Sequence, residues 1–371
     1  MTQSTSFAPF PLVDARAPCI ASVDVALPAH RYRQSELAAA LVKRWQSRPK
    51  VVARIEQFTR SVEVDARCLA LPLEAYETLG GFGEANNAFI RVGTELGARA
   101  IRGALARAGL EVEDVDALFF TTVTGLAAPT IDARLVNVLG LRKDVRRTPM
   151  FGLGCVGGAA GIARASDYLR GHPDHVAVLL SVELCSLTLQ DEFSVANLIA
   201  SGLFADGAAA VVMMGSERKA RPSPSSVRGI AQPRVVDTAS AFFPDTERVM
   251  GWDIGERGFT LVLSAEVPAI VHRYLPDEVN AFLAKHGLAR EDIRRWVCHP
   301  GGPKVILAIE EALRLPPDAL AITRASLASI GNLSSASVLH VLSETPAARG
   351  DVGVLMAMGP GFCAELVLLA W

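Results

Sequence analysis

The sequence predicts an α/β fold assembled from two copies of one unit, and two observations predict it. The first is composition: 50% of the 371 residues are hydrophobic, 20% are charged and 6% are aromatic. That balance suits a compact chain with much buried parallel sheet rather than a disordered or fibrous one. The second is an internal likeness. The run from Ala104, ALARAGLEVEDVDALFF, parallels AFLAKHGLAREDIRRWV at 281–297. Gly109-Leu110, Asp114-Val115 and Phe119 match Gly287-Leu288, Asp292-Ile293 and Val297 at one constant offset. The same offset carries Cys155 to within one residue of Asn332, and Val176–Ser181 (VAVLLS) matches Val352–Met356 (VGVLM). Several matches in the same order read as a duplication. The second copy starts near residue 222, after the polar, Pro- and Ser-rich RKARPSPSSVRG, which divides the chain into halves 1–221 and 222–371.

Taken in order, residues 1–18 read as an irregular arm and Ala21–Ala26 as a first strand. From Gln34 to about Arg67 the period is helical and locally basic, with Lys43, Arg44, Lys50, Arg54, Arg60 and Arg67. Such a face is ordinarily solvated. Its sharper reading is a docking surface for a phosphate-bearing ligand, because arginine presents a planar fork suited to phosphate. Asn87–Ala108 predicts a long helix, and Asp116–Thr121 (DALFFT) a buried strand leading into the loop TVTGLAAPT. Phe151–Leu169, FGLGCVGGAAGIARASDYL, is a glycine turn running into a small-residue helix. Trp296 and Val297 are strand-like, ended by Pro300-Gly301-Gly302, and SIGNLSSASVLHVL around Asn332 is a second turn into a small-residue helix.

The totals exclude several function classes. Formal net charge is -2 and no basic block is present, so nothing points to nucleic acid. The apolar runs, such as His175–Leu184 and Ala208–Met214, are far short of a membrane span. The opening MTQSTSFAPFPLVDARAPC lacks a basic region followed by an apolar core, so no signal peptide is expected. The 6 cysteines (Cys19, Cys68, Cys155, Cys185, Cys298, Cys363) contain no CxxC pair. Neither a metal cluster nor a disulfide framework is expected, and the cytoplasm is the natural compartment.

Three residues form a constellation that bears chemistry. Cys155 sits among Gly154, Gly157 and Gly158, which clear bulk from around the sulfur. At a helix N-terminus the dipole favours thiolate, hence nucleophilicity. His299 ends a strand; neighbours on a strand point to opposite faces, so Cys298 and His299 are not expected to share one pocket. Asn332, read alone, is a good helix cap. Together, a thiol, an imidazole to take its proton and a neutral amide donor form an acyl-transfer set. An uncharged donor steadies an enolate or oxyanion where a carboxylate would repel it, which favours carbanion chemistry over proteolysis. In the duplicated fold, matching loops converge on one site, with Cys155 from the first copy and His299 and Asn332 from the second.

A rival motif overlaps the cysteine. Gly152-x-Gly154-x-x-Gly157 matches the GxGxxG fingerprint of NAD-dependent oxidoreductases. The residues before it, RKDVRRTPM, are basic and contain Pro149, which suits a central strand poorly. Glu183, the available acid, lies too far along.

Five stretches together resemble a known family. GCVGG around Cys155, LFADGAAAVV at 203–212, WVCHPGGPKVI at 296–306, GNLSSAS at 331–337 and MGPGFCAE at 358–365 are similar to the type III polyketide synthases, the chalcone-synthase-like enzymes. The resemblance implies a homodimeric, five-layered αβαβα thiolase fold of the condensing-enzyme type. It implies that Cys155 accepts an acyl starter from coenzyme A, and that His299 and Asn332 promote decarboxylation of malonyl-CoA, with no metal or redox cofactor. By the same resemblance, Phe204 and Leu261 hold the two gatekeeper positions, Leu261 replacing a phenylalanine. Cys185, Thr188, Ser334 and Ala128 fall where starter and cyclisation choice are shaped, Ala128 at a place where plant members put a methionine from the dimer partner. Gly301 of the HPGGPK element lies among the substrate-binding positions, and Arg54 fits a contact to the CoA phosphates, with Arg60 and Arg67 near such places.

SVELCSLTLQ, SVANLIASGLFADG and MGWDIGERGF resemble the bacterial branch, and within it the alkylresorcinol or alkylpyrone synthases that use fatty acyl-CoA starters. Small Ala128 and non-aromatic Leu261 are compatible with an alkyl tail. The alternative within the branch starts from malonyl-CoA itself and makes tetrahydroxynaphthalene. A non-catalytic acyl-CoA-binding scaffold is opposed by the joint presence of Cys155, His299 and Asn332.

Overall fold

The computed structural model describes residues 14–189, 194–218, 232–256 and 258–371. The expected division at 221/222, and most of the Pro- and Ser-rich stretch around it, lie outside the described residues, as do residues 1–13 of the expected arm. The first repeat opens with β1 (Cys19–Ala26), β2 (His30–Arg33), α1 (Gln34–Arg44), α2 (Pro49–Ser61), β3 (Ala66–Leu69) and α3 (Ala75–Thr78). It continues with α4 (Gly81–Ala108), β4 (Ala117–Thr122), α5 (Ile131–Leu139), β5 (Arg146–Phe151), α6 (Gly157–Gly171), β6 (Val176–Leu184), α7 (Val195–Leu203) and β7 (Asp206–Met214). The second contains β8 (Arg234–Phe242), the antiparallel pair β9 (Met250–Gly255) and β10 (Gly258–Leu263), α8 (Val267–Ala284) and β11 (Arg295–Cys298). It ends with α9 (Pro303–Leu313), α10 (Ala321–Ile330), α11 (Ser337–Glu344), β12 (Val352–Gly359) and β13 (Cys363–Ala370).

The duplication is visible in the sheet order, β11-β12-β13-β8-β1-β7-β6-β4-β5. Outward from the junction, β1-β7-β6-β4 and β8-β13-β12-β11 each pair antiparallel, antiparallel, then parallel. The two series touch through one register pair, Cys19 with Arg234. Each repeat also leaves its long helix through a glycine at positive φ, Gly109 at 68° and Gly287 at 65°, a conformation that costs a residue with a Cβ far more. A 3-10 turn and a strand then follow in both. This shared backbone requirement is why the likeness survives in the sequence.

Alternation along the strands sorts side chains into layers. Leu118, Phe120, Val178 and Leu180 pack with Leu96 and Ile101 of α4 and Leu135 of α5. Their neighbours Ala117, Phe119, Ala177 and Leu179 face Ile162 of α6 and Leu339 of α11. The second series of strands in the sheet, β8-β13-β12-β11, repeats the division. Leu355, Ala357, Val367 and Leu369 join that same central cluster, while Val354, Leu366 and Leu368 pack with Val271 of α8 and Ile309 of α9. The order is α4/α5, sheet, α6/α11, sheet, α8/α9, the five-layered αβαβα arrangement of the thiolase fold. No helix of the described residues is long and apolar enough to cross a membrane.

Two expectations change. The sheet is mixed rather than mainly parallel, because β12 turns into β13 across only Pro360-Gly361-Phe362, and so short a connection admits only antiparallel neighbours. The helical reading of 34–67 breaks into α1 and α2, and its end becomes β3, where Arg67 is buried instead of solvated. Pro149 lies in β5, the edge strand of the series, where its missing N–H is tolerated.

α6 and α11 meet at the centre, and glycine makes the approach possible. A Cβ on Gly158 would run into the Ser335 carbonyl oxygen and lie 2.8 Å from Val338 Cγ1. Gly158→Ala is therefore expected to destabilise the fold by about 1–3 kcal/mol through overpacking, measured by denaturant unfolding; unchanged stability would show that the two repeats are not locked here.

Candidate active site

The residue that carries the thiol is placed by backbone strain and close packing. Cys155 lies in the 3-10 turn Gly154–Val156 immediately before α6. Gly154 adopts φ 55° with Pro360 so close that an added Cβ would sit 2.7 Å from that ring. The equivalent turn of the second repeat is Ser334–Ala336, before α11, and Ser334 takes the same left-handed conformation at φ 50°. The structural counterpart of Cys155 is therefore Ser335, and Asn332 precedes the turn. Ser334 Oγ lies 3.7 Å from Cys155 Sγ.

The two turns face a narrow cavity of about 40 Å³, lined by Cys155, His299 and Asn332 together with Phe204 and Gly301. Apolar side chains complete it, including Leu203, Met250, Leu263, Val305, Met356 and Phe362. His299 follows β11, its backbone N–H donating to Met356 O at 2.9 Å. Among the described residues neither Nδ1 nor Nε2 has a hydrogen-bond partner. Cys298 packs into the opposite cluster, as strand alternation requires. Gly301 leaves room by the imidazole: a Cβ there would stand 3.7 Å from His299 Cδ2.

Asn332 is held by its backbone and its side-chain oxygen. Its N–H donates to Leu203 O at 2.9 Å, and its carbonyl accepts from Ala205 N at 2.8 Å, forming an isolated bridge with Phe204. Oδ1 accepts from Ser334 N at 2.8 Å and Ser337 Oγ at 3.3 Å. Among the described residues nothing accepts from Nδ2, so the carboxamide is oriented through its oxygen while its N–H groups remain available.

Burial dominates the electrostatics. It pushes the Cys155 thiol up to about 12, Ser334 pulling it back and the Glu183 carboxylate adding to the rise. It pushes the His299 imidazole down to about 3. The helix N-terminus is where the sequence places it, and desolvation there acts against the thiolate that the dipole favours. Passing that proton to the imidazole sets opposite charges in one cavity, which offsets part of both penalties.

Beneath the sulfur is a buried acid whose role was not legible in the sequence. Glu183, on β6, is fully buried and accepts from Val123 N at 3.1 Å, Thr124 Oγ1 at 2.9 Å and Ser335 Oγ. Ser335 in turn meets Ser181 Oγ at 2.7 Å. Burial raises Glu183 to about 7, against the hydrogen bonds from Ser335, Val123 and Thr124.

The remaining expected positions are dispersed. Leu261 is buried on β10 opposite Trp252, and Leu263, two residues on, lines the cavity. Cys185 and Thr188 are buried in the 3-10 turn after β6, Thr188 Oγ1 donating to Cys185 O at 2.7 Å, and neither lines the cavity. Ala128 is exposed on the loop before α5, and Arg54 is exposed on α2. Two of the three glycines of the GxGxxG motif are packed by protein: Cβ atoms on Gly154 and Gly157 would meet Pro360 and Thr121, while Gly152 is open. With those two positions filled and Glu183 enclosed by its partners, the dinucleotide reading is left without support.

A second cavity of about 340 Å³ adjoins the first, with Met250 in both walls. Phe151, Trp252 and Phe259 give it aromatic sides, and Glu247, Arg248 and Asp253 give it charge. Arg248 and Asp253 form a two-pronged ion pair at 2.7 and 3.0 Å.

The chain matches the family of chalcone and stilbene synthases, the N-terminal domain over residues 17–218 and the C-terminal domain over 234–370. It is 51% identical to 1,3,6,8-tetrahydroxynaphthalene synthase of Streptomyces peucetius subsp. caesius, covering 96% of this chain and 94% of the relative. The solved 1,3,6,8-tetrahydroxynaphthalene synthase of Streptomyces coelicolor A3(2) superposes with a TM-score of 0.85 at 28% identity, covering 96% of this chain and 99% of that one. A polyketide synthase of the brown alga Ectocarpus siliculosus gives 0.87 at 27% identity, with coverages of 96% and 99%.

The raised Glu183 carries a pH signature. Its folded value lies above its ordinary 4.5, so its contribution is complete below about 4.5 and is lost as pH rises through about 7. Folding stability is expected to fall by roughly 3 kcal/mol across that window, and Glu183→Gln to remove that slope. Chemical unfolding of both proteins between pH 4 and 8 tests it; parallel curves would show that Glu183 is ionised throughout.

Proposed function

The chain belongs to the chalcone and stilbene synthase family, the type III polyketide synthases, and from that premise we propose that it takes malonyl-CoA as both starter and extender and closes the chain to 1,3,6,8-tetrahydroxynaphthalene. The observation that carries this is the 51% identity to a synthase of that product over 96% of the chain. It favours the malonyl-only alternative over the fatty-acyl reading that small Ala128 and Leu261 had supported. The adjoining cavity supports the same choice, since charged Glu247, Arg248 and Asp253 suit an oxygen-rich intermediate better than an alkyl tail.

In the proposed mechanism, the Cys155 proton passes to His299 and the sulfur attacks the starter thioester, expelling CoA. A second malonyl-CoA loses CO2, and its enolate oxygen is held by His299 and Asn332 Nδ2. The enolate carbon attacks the acyl-cysteine carbonyl, the C–S bond breaks, and the chain is two carbons longer. The ten ring carbons of a naphthalene correspond to five such units. Between rounds the chain returns from CoA to Cys155, the starter's own carboxyl also leaves as CO2, and ring closure joins methylene to carbonyl carbons with loss of water and of the last thiol, so electrons balance without a redox cofactor. A homodimer in the cytoplasm completes the proposal; the mostly exposed edge strand β5, which ends in exposed Phe151, supports pairing with a second copy.

With malonyl-CoA alone, purified protein is expected to release CO2 and form a product with the mass of tetrahydroxynaphthalene; product formed only after addition of a long-chain acyl-CoA would overturn the proposal. Cys155→Ala should abolish product in a folded protein. Asn332→Ala should slow decarboxylation by about 10²–10³-fold, and an unchanged rate would confine Asn332 to capping.

A further inference from the structure

Arg67 is a buried cation without an ion-pair partner among the described salt bridges. It is 4% exposed, in β3, and its guanidinium is satisfied by neutral acceptors. Nε donates to Gln34 Oε1 at 3.0 Å, Nη1 to Phe204 O at 2.6 Å and Nη2 to Ser201 O at 2.7 Å. Enclosing a guanidinium this way is costly unless every donor is placed. The group stays charged nonetheless: burial lowers it to about 10, with Asp206 and Cys185 acting in the other direction.

What the fork touches is informative. Ser201 lies near the end of α7 and Phe204 just beyond it, so the cation sits where the helix leaves its last carbonyls unpaired. Phe204 lines the Cys155 cavity and forms the isolated bridge with Asn332. The aliphatic stem of Arg67 reaches the other side of that bridge. A Cβ on Gly331, next to Asn332, would lie 2.9 Å from Arg67 Cγ. One side chain thus grips the carbonyl of Phe204 and packs against the residue preceding Asn332.

We propose that Arg67 is a positioning residue for the condensation, fixing the bridge between Phe204 and Asn332 so that the Asn332 carboxamide faces the cavity. Arg67 does not itself line the cavity and acts through Phe204 and Asn332, so the inference rests on the proposed role of Asn332. It replaces the expectation that Arg67 belongs to a phosphate-facing surface. Lysine keeps the charge but cannot reach three acceptors in a fixed fork.

The test compares two steps in Arg67→Lys, Arg67→Met and Asn332→Ala: acylation of Cys155, read by intact mass, and malonyl-CoA decarboxylation at saturating substrate. Displacing a reacting group by about an ångström costs on the order of 100-fold. Arg67→Met is expected to slow decarboxylation by about 10–100-fold while acylation stays within about threefold, with Arg67→Lys intermediate. A merely structural role would depress both steps in proportion to the folded fraction, and unchanged decarboxylation in a folded variant would also overturn the proposal. If neither variant folds, Gln34→Leu, which leaves Arg67 in place and removes its Nε acceptor together with the Gln34 Nε2 bond to Gly202 O at 2.7 Å, is expected to give the same split in weaker form, and its absence counts against the proposal. Should Asn332→Ala itself leave decarboxylation unchanged, the reading of Asn332 fails. If Asn332→Ala slows the step and no Arg67 variant does, the Arg67 inference alone fails.

Discussion

A thiol and an imidazole share one apolar cavity, and the site depends on what burial does to them together. Burial holds Cys155 near 12 and His299 near 3, so each alone rests uncharged. Neither is then a strong nucleophile or a cation. Moving a single proton from sulfur to nitrogen creates two opposite charges in a low-dielectric space, where their attraction is largest. In the proposed chemistry this makes activation conditional on the pair, and the duplicated fold serves to bring the pair together. One repeat supplies the turn bearing Cys155, the other the strand end bearing His299 and the bridge bearing Asn332.

That convergence follows from symmetry in the backbone. The turns Gly154–Val156 and Ser334–Ala336 have the same left-handed first residue and each opens a central helix. Glycine is required on one side, because Pro360 fills the space a Cβ would take, whereas Ser334 tolerates the conformation and places its hydroxyl beside the sulfur. Ser335, the counterpart of Cys155, points instead to Glu183. One position of the repeat thus holds the proposed nucleophile and the other a structural hydrogen bond. Arg67, Phe204 and Asn332 form a further chain of contacts that ties β3 and the end of α7 to the same cavity.

Much of this was legible in the residues because it rests on backbone demands and on rare side chains. Gly109 and Gly287 betray the duplication since both must adopt positive φ, and Cys155, His299 and Asn332 stand out because each has few rivals. The walls were not legible: Met250, Leu263, Val305 and Met356 are chemically indistinguishable from the core around them until the strands are in register. Arg67 was misplaced because local period reads as helix, while its acceptors lie far along the chain at Ser201 and Phe204. Ala128 and Arg54 are exposed in the single chain, and Cys185 and Thr188 are buried without lining the cavity. The fatty-acyl starter read from Ala128 and Leu261 is less favoured than the malonyl-only alternative, because the 51% identity to a tetrahydroxynaphthalene synthase is a property of the whole chain and not of two positions.

The measurement that bears most directly on the shared proton is the pH dependence of Cys155 alkylation by iodoacetamide, followed by peptide mass in the intact enzyme and in His299→Gln. Only the thiolate reacts. If the imidazole accepts the proton, the intact enzyme reacts with an inflection well below 12, and the variant shifts toward the high value that burial alone imposes. Superimposable profiles would contradict the pairing of Cys155 with His299.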